Sequence, residues 1–507
     1  MINQLTKQTK MLITAGIMLV MFLVSLDMLI VANALPRVAQ LLNGTSYQTW
    51  VITIYTLAMT VTVPVAGKLS DIYGRKNLYI IGILWFTAGS AFCALSGSMI
   101  QLVVFRGIQG FGGGIVMGIS MAIIADVFPP AEVGKYMGVI MSMSSLASLI
   151  GPSLGGFLVD HVGWHWVFLL NVPVGLAAAA VLLIGLPALR QHDRTAKVDL
   201  AGAGLIMAFT VPLMLALTWG GKAGNGGYAW NSPVTFVLFV VSSAALVGLI
   251  VVESRVSQPI IPMAYFKRPV FTTVNLINFT ITIAMFGTMV FMPQFCQYLL
   301  GYSPTKSGGL QTPLMVCMMM SAIVVGQLTS RLGKYKVFTI VGGVVAVATC
   351  ALLTTLNQAT SDAKIIFIMA LFGFGMGALF TPLTIALQNT FSKTEIGAAT
   401  ASFQFFKNFA TSLGVAVLGA TLTGTQTALT AARQAAIVAA GNDQVALGQI
   451  KAGILSGSFH VVFVVCTVLA GAALLFTFFL KEVPLRHEDA APVDDVADAT
   501  ADLVEVG

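Results

Sequence analysis

GKLSDIYGRK, running from Gly67 to Lys76, is a polar loop set between two long apolar runs, and a worn copy, GQLTSRLGKYK, returns from Gly326 to Lys336. Each copy stands at a matching place within an apolar half of the chain, so the sequence encodes a duplicated bundle. Two similar bundles facing each other across a membrane form the usual frame of a carrier that rocks between two openings. The first expectation is a transporter.

Of the 507 residues, 57% are hydrophobic and 9% charged, with a mean hydropathy of +0.91. No water-soluble fold hides that much apolar surface, so lipid is the expected solvent. Runs of about 18 or more largely uncharged residues predict fourteen spans, near 11–35, 48–68, 77–97, 99–125, 135–158, 166–187, 198–218, 233–253, 269–292, 305–330, 335–356, 363–385, 397–424 and 455–480. Barrel strands alternate and are about half as long. The first span outruns a signal-peptide core, and Ala34-Leu35-Pro36 makes a poor cleavage site.

With a cytoplasmic N-terminus, eighteen of the 26 lysines and arginines fall on the inner side, six on the outer, and Arg106 and Lys407 within spans. That bias follows the positive-inside rule; an even span count returns the C-terminus to the cytoplasm, in a multi-pass protein of the cytoplasmic membrane. The net charge of +7 reflects these anchoring loops and does not point to nucleic acid. The five cysteines (Cys93, Cys296, Cys317, Cys350, Cys466) show no pairing pattern and no metal spacing. No GxxxxGK[ST] is present, so the driving energy is expected from an ion gradient, with no cofactor and no metal.

At an offset of 263 residues the halves align: Gly110, Gly112 and Gly114 match Gly373, Gly375 and Gly377, PPAEVG (Pro129 to Gly134) matches SKTEIG (Ser392 to Gly397), and Gly151 matches Gly414. The expected fold is an all-α membrane protein: a six-helix bundle over 11–187, two extra linking helices over 198–253, and a second six-helix bundle over 269–480. Residues 1–10 form a cytoplasmic N-terminus and 481–507 an acidic tail expected to be disordered. The outer segment 425–453 has helical periodicity, and reads as a cover for the outer mouth or as a plain loop. Charge has diverged between the copies: Asp71 corresponds to about Ser330, Asp126 to Asn389, Arg106 to Met369 and Pro152 to Val415. Coupling chemistry is therefore expected in the N-terminal half.

Asp27 is the one acidic residue of nineteen deep within a span. It lies eight residues before Leu35, roughly 12 Å from the outer end of span 1. A carboxylate there costs about 2.5–3.5 kcal/mol, so its retention argues for use. Arg106, seven residues into span 4, lies roughly 10 Å from the same surface and matches it in depth. If their separation changes between conformations, the pair switches the proton affinity of Asp27; the plainer reading is a static ion pair that fixes helix packing.

In the loop motif, Gly67 and Gly74 permit close helix approach and a tight turn, Asp71 can cap the backbone amides that follow, and Arg75 can reach Asp126 as a latch. Lys76 reads as a topology anchor. Gly151, Pro152, Gly155 and Gly156 in span 5 would kink the helix and clear side chains from one face, or serve as ordinary small-residue packing. Lys407 is a second intramembrane charge, and its role is open between substrate contact, in a cavity shared with Asp27, and a structural partner. Most of the 24 methionines and 32 phenylalanines read as lipid-facing or packing residues, though soft and aromatic walls also suit an adaptable pocket.

Together these segments resemble the major facilitator superfamily, specifically its fourteen-span drug:proton antiporter branch, over nearly the whole chain. LDMLIVANALP (Leu26 to Pro36) is similar to the branch's span 1 signature, GKLSDIYGRK to the superfamily loop motif and RGIQGFGGG (Arg106 to Gly114) to the span 4 motif. SLIGPSLGG (Ser148 to Gly156) resembles the antiporter motif and WHWVFLLNVPVG (Trp164 to Gly175) the entry to span 6. The resemblance implies proton-driven export of hydrophobic, cationic or neutral compounds by alternating access. It assigns protonation to Asp27, its modulation to Arg106, the conformational latch to Asp71 and Arg75, and the kinked helix to the span 5 glycines and Pro152. Leu29 and Ala32 depart from a usual Thr and Asn, His165 and Lys407 stand where Arg is common, and extra C-terminal intramembrane acids are lacking, which disfavours divalent cations.

The expected partners are small hydrophobic substrates, protons and the lipid bilayer, with a monomeric chain and any accessory efflux partner left open. The alternatives are a dedicated exporter of one lipid, siderophore or antibiotic, and a proton-coupled uptake symporter, against which the GPxxGG motif argues. No zinc spacing, nucleophile elbow or paired intramembrane carboxylates support an enzyme.

Overall fold

A computed structural model of the chain describes residues 6–128, 130–187, 200–220, 228–256, 259, 261–391, 395–440 and 443–483. Among the described residues, thirteen helices are long and apolar enough to cross a membrane. They are α1 (Lys7–Leu41), α2 (Gln48–Tyr73), α3 (Arg75–Ala94), α4 (Met99–Val127), α6 (Trp166–Gly185), α7 (Leu200–Trp219), α8 (Pro233–Glu253), α9 (Pro269–Gln294), α10 (Pro304–Leu332), α11 (Lys336–Leu353), α12 (Asp362–Thr390), α13 (Ile396–Ala432) and α14 (Gln444–Phe478). The remaining expected span is helix α5 (Pro130–Phe157), whose described apolar stretch is the shorter Leu146–Val162. The tail from 484 onward and the basic link before α7 (Arg190, Arg194, Lys197) lie outside the described residues.

Several helices overrun the predicted spans, α1 covering Lys7–Leu41 instead of 11–35. Hydropathy marks the hydrocarbon layer, whereas a helix stops where its end groups are capped. Ser98 accepts the Gln101 N–H to start α4, and Ser361, its equivalent in the repeat, accepts the Lys364 N–H to start α12. Segment 425–453 is helical nearly throughout, with a short helix Gln434–Ala440 between α13 and α14, whose N-cap is Asp443. Its residues are largely exposed and it packs on α13 and α14.

Helices α1 to α6 pack chiefly among themselves, as do α9 to α14. Between helices in lipid the attraction is mostly close packing, which small residues permit. Gly110 and Gly114 bring α4 onto α2: a Cβ on either would lie 2.5 Å from the Tyr55 carbonyl or 2.8 Å from that of Met59. Gly373 and Gly377 do the same for α12, facing the carbonyls of Leu314 and Met318 on α10. The duplication extends to one salient bond: Lys76 Nζ donates to the Leu183 carbonyl near the end of α6 at 2.8 Å, and Lys336 Nζ to the Phe478 carbonyl ending α14 at 2.9 Å. Each lysine meets the negative end of a helix dipole.

The linking pair α7 and α8 pack as neighbours, and α7 also lies against α2 and α13, one from each bundle. Leu57 and Val61 (α2), Met214 (α7), Phe409 and Ala416 (α13) form one buried cluster there.

Candidate functional site

Asp27 and Arg106 meet, as their matched depth permits. Arg106 Nη1 donates to Asp27 Oδ2 at 2.6 Å, and the two residues are 1% and 0% exposed. Two donors that the sequence reading did not single out complete the carboxylate's shell. Gln109 Nε2 and Asn171 Nδ2 donate to Asp27 Oδ1 at 2.9 and 2.7 Å. Gln109 sits three residues after Arg106, on the same face of α4, and its Oε1 takes a second bond from Arg106 Nη1 at 2.7 Å. Asn171, from α6, also donates to Ser90 of α3 at 2.9 Å. The guanidinium stacks over Tyr55 of α2, 3.9 Å from the ring centroid. One carboxylate thus ties α1 to α4 and α6, with α2 and α3 closing the shell. The web is unsaturated: Arg106 Nε, Asn171 Oδ1 and the Tyr55 hydroxyl have no hydrogen-bond partner among the described residues.

The carboxylate's described hydrogen-bond partners all lie on α4 and α6, within the N-terminal bundle. Between the bundles lies a narrow void of about 10 Å³, lined by Met28, Leu29, Ala32, Pro152, Met289 and Gln311 among others. At roughly 100° per residue, positions 28, 29 and 32 point about 100°, 160° and 140° away from position 27. The same helix therefore carries the titratable group on one face and the seam on the other. Lys407 does not line this void either.

The hydrogen bonds described between the two bundles lie toward the face opposite the start of α1, here the far face. Asn33 Nδ2 donates to the Pro152 carbonyl of its own bundle at 2.8 Å and across the seam to the Pro304 carbonyl at 3.0 Å, and Gln297 Nε2 donates to the Asn33 carbonyl at 2.9 Å. The Tyr298 hydroxyl donates to Gln48 Oε1 at 2.6 Å, and the Ser153 and Thr312 hydroxyls meet at 2.8 Å. The span 5 glycines explain the intimacy. Gly151 and Gly155 lie against Leu29 and Ile30 of α1, while Gly156 lies against the Pro304 carbonyl of the other bundle. Gly308 returns the contact against the Pro152 carbonyl. Helix α5 continues through Pro152 to Phe157 and passes into a wider turn over Leu158–Val162.

In the loop motif, Gly74 takes φ 93°, the left-handed region that favours glycine, and turns α2 into α3. Gly67 is under no such constraint, since a Cβ there would sit 3.9 Å from the Gly118 carbonyl, an ordinary contact. Arg75 Nη1 lies 2.6 Å from Asp126 Oδ2 and also donates to the Ala122 carbonyl. The ion pair joins α3 to α4 within one bundle. The side chain of Asp71 lies outside the described residues.

Comparison with known proteins gives a consistent relationship. The profile of the Major Facilitator Superfamily matches residues 17–415. Multidrug transporter protein MdtP of Bacillus subtilis (strain 168) is 41% identical over 417 residues, 82% of this chain and 76% of that protein. Multidrug resistance protein 3 of the same organism is 32% identical over 407 residues, 80% and 78% of the two chains. Among solved structures, a bacterial homolog to the human lysosomal transporter Spinster superposes with TM-score 0.67 at 14% identity, covering 96% of this chain and 100% of that one.

Proposed function

Because this chain belongs to the Major Facilitator Superfamily, a family of transporters rather than enzymes, we propose that it exports hydrophobic compounds in exchange for protons by alternating access. The relatives named as multidrug transporters support the export of such compounds. The observation that carries the reading is Asp27, a carboxylate fully buried within a membrane helix and held by donors on α4 and α6. An ionisable group kept at that cost in an apolar span marks a proton or substrate path.

In this reading the face where α1 starts is cytoplasmic, both termini lie on it, and the bundles over 11–187 and 269–480 rock as units around the α1, α5, α9 and α10 seam. The state described is closed on the far face by Asn33, Gln297 and the span 5 glycines. Protonating Asp27 removes the charge that anchors Arg106 and loosens α1 from α4 and α6. Because Met28, Leu29 and Ala32 on the opposite face line the seam, that loosening reaches the substrate path without substrate touching the carboxylate. Coupling therefore runs through the helix. Direct competition for one group is not needed, and Arg75–Asp126 holds α3 to α4 so that the bundle moves as a body.

The test is Asp27→Asn in proteoliposomes. The amide oxygen can still accept from Gln109 and Asn171, but its NH2 cannot accept from Arg106 and the group cannot titrate, so uphill export of a lipophilic dye should fall at least about a hundredfold while downhill exchange persists. Undiminished gradient-driven export would remove Asp27 from the mechanism.

A further inference from the structure

Lys407 is an ammonium near mid-membrane that the account above leaves unused. It lies eleven residues into α13, about 16 Å from Ile396, roughly half the thickness of a hydrocarbon core. The residue is half-buried, and its Nζ rests 5.2 Å from the ring centroid of Phe380 on α12. Among the described residues its ammonium has no ion-pair or hydrogen-bond partner. The other charges at comparable depth, Asp27 and Arg106, neutralise each other.

Lys407 also has polar company. Gln404 and Thr411 lie three and four residues from it on the same face of the helix, and Asn408, next in sequence, lies one turn beyond Gln404 at the edge of that face. Gln404 Nε2 donates to Asn408 Oδ1 at 3.3 Å. The opposite face is occupied, since Phe409 and Ala416 cluster with α2 and α7, and two turns along Lys407's own face Gly414 lies against Ile283 of α9. Helices α2, α7, α9, α12 and α14 all pack against α13, and the Lys407 side chain reaches from it toward Phe380 of α12. A polar stripe bearing an unneutralised cation, with an aromatic ring beside it, has the chemistry of a pocket for an amphiphile with a negative head.

We propose that Lys407, with Gln404 and Asn408, is the charge-selecting element of the substrate path, and that it favours hydrophobic compounds carrying a carboxylate or comparable anion over lipophilic cations. This deepens the export reading and rests on it, and it reverses the charge preference expected from the family resemblance. Asp27, already neutralised and turned away from the seam, offers a cation nothing in this state.

The test uses three dansyl probes of matched size ending in a carboxylate, a carboxamide and a trimethylammonium group. Binding to the purified full-length protein is measured by fluorescence, and uptake by energised everted vesicles. The carboxylate should bind at least fivefold tighter than the trimethylammonium probe. Lys407→Met should abolish that difference with carboxamide binding within twofold, and Lys407→Arg should keep it. Equal or reversed binding by the unaltered protein overturns the proposal, as does undetectable binding of the carboxylate. If Lys407→Met does not fold, the order measured on the unaltered protein and on Lys407→Arg decides. The uptake arm separates the two readings. Loss of gradient dependence for all three probes would sink proton exchange itself, whereas gradient-driven uptake that prefers the ammonium probe would sink only this assignment.

Discussion

Asp160, just beyond α5, accepts the backbone N–H of Thr305 at 2.8 Å and its hydroxyl at 2.5 Å, so a carboxylate of one bundle caps the first turn of α10 in the other. Exposed amides and the positive end of the helix dipole favour a negative group at that place. Unlike the glycine contacts beside it, this link can be removed without disturbing helix packing.

Asp160→Ala should therefore weaken closure of the far face while leaving the fold intact. Loss of a cap of this kind is worth about 0.5–2 kcal/mol, and solvent exposure places it at the low end. A shift of about two- to fivefold toward the state open on that face follows. The measurement is disulfide yield in a Ser153→Cys, Thr312→Cys protein, whose parent hydroxyls touch at 2.8 Å. A yield that Asp160→Ala leaves unchanged would mean the seam closes without this cap.

Gly156 gives a sharper prediction because its neighbour is backbone. A Cβ there would fall on the Pro304 carbonyl and 2.6 Å from the Thr305 Cα, and neither can rotate away. Gly156→Val should hold the bundles apart on the far face and reduce uphill export more than tenfold, with little loss of expression. Gly309→Ala is the matched control, since nothing lies within 4 Å of the Cβ it would add. Equal transport by the two variants would show that the glycine contact is incidental.

The pattern of what was legible in the sequence follows from physical cost. Asp27 and Arg106 stood out because a charge in an apolar run is expensive, and counting residues from the span ends brought them together correctly. The glycines of α4 and α12 were legible through their repetition. The direction of Asp27 was not, because α1 is apolar on nearly all sides and its periodicity marks no preferred face. Gln109, Asn171 and Asn33 passed unremarked because an uncharged amide in a membrane helix costs less and stands out less than a charge. The three-residue spacing of Arg106 and Gln109 was the one available signal. The seam contacts of Asp160 with Thr305 and Asn33 with Pro304 join positions 145 and 271 residues apart, beyond anything that local spacing encodes.

The Asp27–Arg106 pair allows a decisive separation of coupling from packing. Arg106→Gln leaves a fully buried carboxylate without its cation, a loss of about 3–5 kcal/mol in such settings, so the variant should express poorly and unfold at lower temperature. Adding Asp27→Asn removes the stranded charge and leaves two amides able to bond with Gln109 and Asn171, so most of that stability should return. A pair that serves only to pack helices would then regain transport along with stability. A coupling pair behaves otherwise: the double variant should melt close to the parent, carry substrate downhill, and fail to build a gradient when protons are supplied. Thermal unfolding in detergent and paired uphill and downhill flux assays read both quantities on the same preparation. Recovery of uphill transport in the double variant would return the pair to a structural role.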